Sequence, residues 1–167
     1  MILAIDVHYR ETEAKVVGLL FKDWTDEKAT EVITTFVAEV AEYEPGAFYK
    51  REMPCILALL ALIDIKILSY IVVDGYVFLD DEGKAGLGYH LYEALDKQLP
   101  IIGTAKTSFF QNDKYVKPIL RGESTKPLYI TSVGVDLETA GKFIESMAGA
   151  FRLPTLLKEM DTITKQL

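Results

Sequence analysis

Leu68-Ser69-Tyr70-Ile71-Val72-Val73-Asp74-Gly75 is a short apolar run that stops at an Asp-Gly pair. Apolar residues without polar alternation read as a strand buried on both faces, the pattern of a parallel strand covered by helices. The Asp-Gly pair is a turn signal. On its C-terminal side the pattern alternates. A helix is expected over Leu87 to Lys97, a second buried strand over Pro100 to Lys106, a strand over Pro127 to Ser132, and helices over Leu137 to Phe151 and Leu156 to Leu167. On its N-terminal side, Ile2 to Tyr9, Lys15 to Phe21 and Glu31 to Val40 read as an antiparallel meander. An apolar helix is expected from the Arg51-Glu52-Met53-Pro54 segment to about Ile63, with Pro54 in its first turn. Strands then βαβ alternation predict an α/β fold with a mixed central sheet, N-terminal antiparallel strands followed by parallel strands, flanked by helices. No linker or repeat divides the chain, so one domain is expected over residues 1–167.

The charge balance limits the function classes. There are 25 acidic and 18 basic side chains, a net charge of −7 at pH 7. That excludes a nucleic-acid binder working by bulk positive charge; a phosphate-bearing partner needs local positive charge or a bound metal. The single cysteine, Cys55, excludes an internal disulfide and a multi-cysteine zinc site. Two histidines, His8 and His90, exclude a histidine-rich metal site. Asp6 puts a charge too early for a secretory leader, and the apolar stretch from Pro54 to Ile63 is too short to span a bilayer. No membrane association is expected, and the cytoplasm is the default compartment.

Three carboxylates stand where chemistry is expensive or useful. Asp6 lies inside the first strand, where an ionised group among apolar neighbours is costly unless paired. Glu52 lies near the start of an apolar helix, and Asp74 at the C-terminal end of a buried strand, where α/β folds place ligands. If the strands of Asp6 and Asp74 are neighbours, these groups converge and repel one another unless a divalent cation neutralises them. Oxygen-only ligands favour Mg²⁺ or Mn²⁺ over zinc. Each carboxylate taken singly also fits an ordinary turn or helix-start role.

Six short segments together resemble the endonuclease V family, nucleases of the ribonuclease H-like fold. Asp6-Val7-His8-Tyr9 is similar to the family's Asp-Val-Ser-Tyr. Tyr43-Glu44-Pro45-Gly46 followed by Arg51-Glu52-Met53-Pro54 resembles Pro-Tyr-Ile-Pro-Gly and Arg-Glu-x-Pro at the same interval. Val73-Asp74-Gly75, Gly86-Leu87-Gly88-Tyr89-His90 and Ile102-Gly103-Thr104-Ala105-Lys106 resemble Val-Asp-Gly-His-Gly, Gly-Leu-Ala-Ser-His and Ile-Gly-Val-Ala-Lys. Arg152-Leu153-Pro154, with Asp161 seven positions after the proline, resembles Arg-Leu-Pro-Glu-Pro-Thr-Arg-x-Ala-Asp.

The resemblance implies metal ligation by Asp6, Glu52, Asp74 and Asp161, with Mg²⁺ as cofactor and Mn²⁺ as alternative. It implies that Lys106 sits near the scissile phosphate and that Arg51 contacts a phosphate. Tyr43 would be the aromatic wedge beside a displaced base, and Gly46 and Gly75 would line a hypoxanthine pocket. The implied reaction is hydrolysis of a phosphodiester 3′ to inosine, a DNA-repair activity of a monomer on inosine-containing DNA or RNA. Residue by residue, Asp161 is equally a helix carboxylate near Lys158 and Lys165, and Lys106 a strand-end lysine.

The chain departs from the family pattern in places. Glu42 and Glu44 flank Tyr43, where nucleic-acid phosphates would come close. Tyr76 to Glu82 replaces a histidine-containing segment, with Asp80 near the histidine's place and an acidic Asp80-Asp81-Glu82 cluster. These departures motivate two alternatives: a relative that binds nucleic acid or protein without cutting, and a metal-dependent nuclease acting on RNA or another substrate.

Overall fold

The computed structural model describes residues 1–38, 40–109 and 111–167. β1 (Ile2–Tyr9), β2 (Glu13–Phe21) and β3 (Glu31–Ala38) form the expected antiparallel meander. The expected third strand ran on to Val40; Glu39 lies outside the described residues. The β1–β2 turn is closed by the Arg10 N–H donating to the Glu13 carbonyl at 2.8 Å. β4 (Tyr70–Asp74) lies parallel to β1, with Ile5 opposite Val73. β5 (Ile101–Ala105) lies parallel to β4, with Asp74 opposite Thr104. β7 (Leu128–Val133) then runs antiparallel to β5, and β6 (Lys117–Ile119) pairs outside it. Among the described residues the order is β3-β2-β1-β4-β5-β7-β6, a seven-stranded mixed sheet. β6 was not expected from sequence: it is three residues long and contains Pro118, which an edge strand tolerates.

Alternation along β1 divides the core between the two faces. Ile2 and Ala4 join Val72, Ile102 and the helices α3 (Leu137–Ser146) and α4 (Thr155–Lys165). Leu3 and Ile5 join Ile71, Val73 and the helices α1 (Phe48–Leu60) and α2 (Leu87–Ala94). Leu3, Ile5, Leu19 and Ile71 are fully buried. Burial of each contributes about 1.5–3 kcal/mol, so together they fix the strand register. A slip of one residue would turn Asp6 into the apolar layer under α1.

The helices differ from expectation at their ends. α1 begins at Phe48, earlier than expected, so Pro54 is its seventh residue rather than a first-turn residue. The proline therefore removes a bond from the helix interior, at the carbonyl of exposed Lys50, which water can reach. α2 stops at Ala94 because Asp96 and Lys97 take left-handed φ values of 54° and 58°. α3 is capped by Asp136, whose Oδ1 accepts from the Thr139 N–H at 2.9 Å. It stops at Ser146 rather than Phe151, because Met147 turns extended and Gly149 takes φ 114°. The buried Arg121 guanidinium collects the carbonyls that the ended helix leaves behind, those of Met147, Gly149 and Phe151. The strand expected from Leu68 begins at Tyr70, after a 3-10 turn over Ile65–Ile67. Among the described residues, no helix is long and apolar enough to cross a membrane.

Candidate active site

The parallel pairing of Ile5 with Val73 puts Asp6 and Asp74 side by side, one residue further on. Both follow the phase of Ala4 and Val72, so both face α4. There they line a small cavity of about 30 Å³ together with Thr104, Lys106, Leu157 and Asp161. Asp161 reaches it from α4. Glu52 comes from the second turn of α1, on the opposite face, and is 5% exposed.

Asp6, Glu52 and Asp74 are all held above the ordinary carboxylate range. Burial pushes Asp6 up from 3.8 to about 7, and neighbouring Asp74 and Asp161 add to it. The Val7 N–H, donating to Asp6 Oδ1 at 2.9 Å, works the other way. Burial pushes Glu52 up from 4.5 to about 8; Asp6 and Asp74 add, while the Tyr9 hydroxyl bond and Arg51 oppose. Asp74 is raised too, first by burial and then by Asp161, with Lys106 opposing. Its residue is open to solvent from the cavity side, and water there screens part of that penalty. Among the described residues no lysine, arginine or histidine forms a salt bridge with Asp6, Glu52 or Asp74. Asp161 is different. Lys165 lies 3.0 Å from its Oδ1 and Lys158 3.8 Å from its Oδ2, the lysine pairing that helix spacing suggested.

The donor set suits a hard, oxygen-seeking divalent cation: aspartates and one glutamate, partly buried and short of positive charge. Yet among the described residues no three His, Cys, Asp or Glu side chains are gathered closely enough to hold a metal ion. The small cavity lined by three aspartates and the absence of a ready cage are reconciled by geometry. Asp161 is turned to its lysines, and Glu52 approaches from the other side of the sheet. The chemistry fits a cation; the side chains would have to close on it.

A second, larger cavity of about 530 Å³ adjoins the first, sharing Asp74 and Lys106. Its walls include Tyr43, Phe48, Tyr49, Tyr76 and Phe109, with Gly46 and Gly75 between them. Gly75 takes φ 147° and donates its N–H to the Thr104 carbonyl at 2.9 Å. Such a backbone favours glycine. Gly103 makes this turn possible: a Cβ there would stand 2.3 Å from the Gly75 carbonyl oxygen and 2.6 Å from Thr131 Oγ1. Tyr43 is 60% exposed at the rim. Arg51 lies apart from this cavity, with its guanidinium 3.6 Å above the Tyr9 ring centroid.

The family model described as Endonuclease V matches residues 1–162. The chain belongs to the endonuclease V family. Its fold is that of solved endonuclease V structures. A substituted Ciona intestinalis endonuclease V, in complex with a 23mer DNA containing an inosine followed by a ribo-adenosine, is 18% identical. The match covers 98% of this chain and 83% of that chain, with a TM-score of 0.84. The catalytic domain of human endonuclease V is 23% identical, with coverage of 98% and 80% and a TM-score of 0.76. The Streptomyces avermitilis endonuclease V is 24% identical, with coverage of 98% and 79% and a TM-score of 0.70. No curated protein sequence matches the chain.

Three of the acidic departures from the endonuclease V pattern have local partners. Glu44 pairs with Lys50 at 3.2 Å. Asp80 Oδ1 accepts the N–H groups of Glu82 and Lys84, both at 3.0 Å, so it closes its own turn. Asp81 Oδ1 accepts the N–H groups of Asp113 and Lys114 at 2.6 and 2.7 Å, which holds its carboxyl below the ordinary range. It thereby ties the loop after β4 to the loop after β5. Sequence reasoning missed Tyr9, Phe48, Tyr76 and Phe109. Tyr9 sits in the Asp6-Val7-His8-Tyr9 segment, and the strand's alternation could have placed it opposite Asp6. The aromatic cavity walls come from helix starts and loops, where no periodic pattern marks them.

Proposed function

We propose that this chain is a Mg²⁺-dependent endonuclease that hydrolyses a phosphodiester 3′ to inosine in a nucleic-acid strand, a DNA-repair activity, with Mn²⁺ as an alternative cofactor. The observation that carries the reading is the sharing of Asp74 and Lys106 between the carboxylate cavity and the aromatic one. A base in the larger space would bring its backbone past the carboxylates. Asp6, Glu52, Asp74 and Asp161 would hold the metal. Bound there, it would activate a water and neutralise the leaving oxygen. Lys106 supplies a cation beside Asp74, where negative charge develops on the phosphate. Tyr43 stacks in place of a lost base neighbour, and Gly46 and Gly75 let the backbone approach a flat base. Arg51 contacts a flanking phosphate. The setting proposed is a cytoplasmic monomer acting on inosine-containing DNA or RNA.

The test is cleavage of labelled inosine-containing DNA and RNA strands with Mg²⁺, Mn²⁺ or EDTA. A single metal-dependent cut is expected, lost in EDTA and in Asp74→Asn. Absence of product with either metal would overturn the reading. One observation favours a relative that binds without cutting: the pairing of Asp161 with Lys158 and Lys165. Mn²⁺ titration separates the two, because the nuclease must bind the ion and the non-cutting relative need not.

A further inference from the structure

Glu52 is the candidate ligand that approaches from the α1 side of the sheet, and its carboxylate is held there by a neutral side chain rather than by a lysine. Tyr9, three residues beyond Asp6 on β1, falls on that side and packs against the α1 core. Its hydroxyl donates to Glu52 Oε1 at 2.7 Å. The ring is covered in turn by the Arg51 guanidinium, 3.6 Å from the centroid. Among the described residues no partner accepts from the buried Arg51 Nε, and the guanidinium lies stacked on the phenol. The phenol is thus held by its face and its tip. Among the described residues, that bond is the side-chain hydrogen bond that holds the Glu52 carboxyl.

We propose that Tyr9 is a positioning residue for the metal site: it fixes one oxygen of Glu52 and leaves the other for the cation, while Arg51 clamps the ring that does so. The inference rests on the metal-dependent reading above. Outer partners that orient a ligand carboxylate are worth about 10–100-fold in metal affinity. Removing the Tyr9 hydroxyl leaves the Glu52 carboxyl without that bond, and binding of the cation must then also fix its orientation.

The experiment measures Mn²⁺ binding without nucleic acid, by electron paramagnetic resonance of the free ion. It uses the wild type, Tyr9→Phe, Arg51→Gln and Glu52→Gln, with thermal melts in EDTA and kcat and KM on inosine-containing DNA. Tyr9→Phe is expected to melt near the wild type, bind Mn²⁺ about 10-fold more weakly and lose kcat with KM unchanged. Arg51→Gln, which leaves the hydroxyl in place, is expected to weaken Mn²⁺ binding by a smaller factor. A Tyr9→Phe protein that melts lower yet binds Mn²⁺ like the wild type would reduce the tyrosine to a structural role and overturn the inference. If Tyr9→Phe fails to fold, unchanged Mn²⁺ affinity in Arg51→Gln overturns it instead. In both cases loss of binding in Glu52→Gln would leave the nuclease reading standing. A wild type that binds no Mn²⁺ overturns both together.

Discussion

Replacing Asp6 by asparagine should stabilise the metal-free protein at pH 8 while destroying its ability to bind a divalent ion. Asp6 sits among apolar neighbours beside Asp74, and its carboxyl is raised from 3.8 to about 7. The folded state therefore holds its proton over a range in which the unfolded chain has released it. Between about pH 4 and pH 7 the unfolded state binds fewer protons, so stability falls as pH rises through that window. Below pH 4 the penalty is absent; above pH 7 it is complete. A carboxyl raised from 3.8 to about 7 carries on the order of 4 kcal/mol against its own ionisation in the fold. Asparagine keeps an oxygen for the Val7 N–H, now bonded at 2.9 Å, and carries no charge. At roughly 2–4 °C per kcal/mol for a chain of this length, Asp6→Asn should melt up to roughly 8–16 °C higher than the wild type at pH 8 in EDTA. At pH 4 the two should nearly coincide. Adding Mn²⁺ at pH 8 should raise the wild-type melting temperature and leave the variant unmoved. Thermal unfolding followed by circular dichroism reads all of this. A variant no more stable than the wild type at pH 8 in EDTA would show that burial and crowding do not strain Asp6. The electrostatic argument for a cation at the site would then fail.

Other outcomes follow from single contacts. Gly103→Ala should destabilise the fold by about 3 kcal/mol, because its Cβ would meet the Gly75 carbonyl oxygen at 2.3 Å; denaturant titration measures it, and a loss below 0.5 kcal/mol would contradict the close approach. Lys15 is 6% exposed and its Nζ donates to the carbonyls of Ile163 and Gln166 at 2.8 and 3.0 Å. Lys15→Met should cost about 1–3 kcal/mol and speed hydrogen exchange in the last turn of α4, next to Asp161, while unchanged exchange would deny the lysine that anchoring role. Burial pushes the Cys55 thiol up to about 11, so iodoacetamide at pH 8 should modify it only in denaturant; rapid labelling of the folded protein would contradict its burial.

The meander and the buried strand ending at Asp74 were legible because period-two and unbroken apolar runs are direct records of which faces are covered. The same runs place Asp6 inside the first strand and Asp74 at the end of a buried one; that the two strands are neighbours is shown only by the β1–β4 pairing. Pro54 misled: proline at a helix start is common, but here α1 had already begun at Phe48. The helix over Leu137 to Phe151 looks continuous because Met147 and Ala148 are good helix formers; the carbonyls freed by its earlier end are satisfied by Arg121, more than twenty residues earlier, which no local pattern announces. The Tyr9–Glu52 bond spans 43 positions, and nothing local to either residue announces it. The acidic residues near Tyr43 and after Asp74 were read as hostile to phosphates. Most of them are instead occupied by Lys50 or by backbone N–H groups in turns.

That last point bears on attempts to improve the protein. Restoring basic residues over Asp80 to Glu82 is the obvious engineering route to tighter grip on a polyanion. Asp81, however, is the rivet between two loops, of which the first carries Tyr76 and the second Phe109, both in the wall of the large cavity. A lysine at that position would exchange a small gain in attraction for a wall free to drift. Charge added at Glu42, for which no such fastening is seen among the described residues, is the safer place to begin.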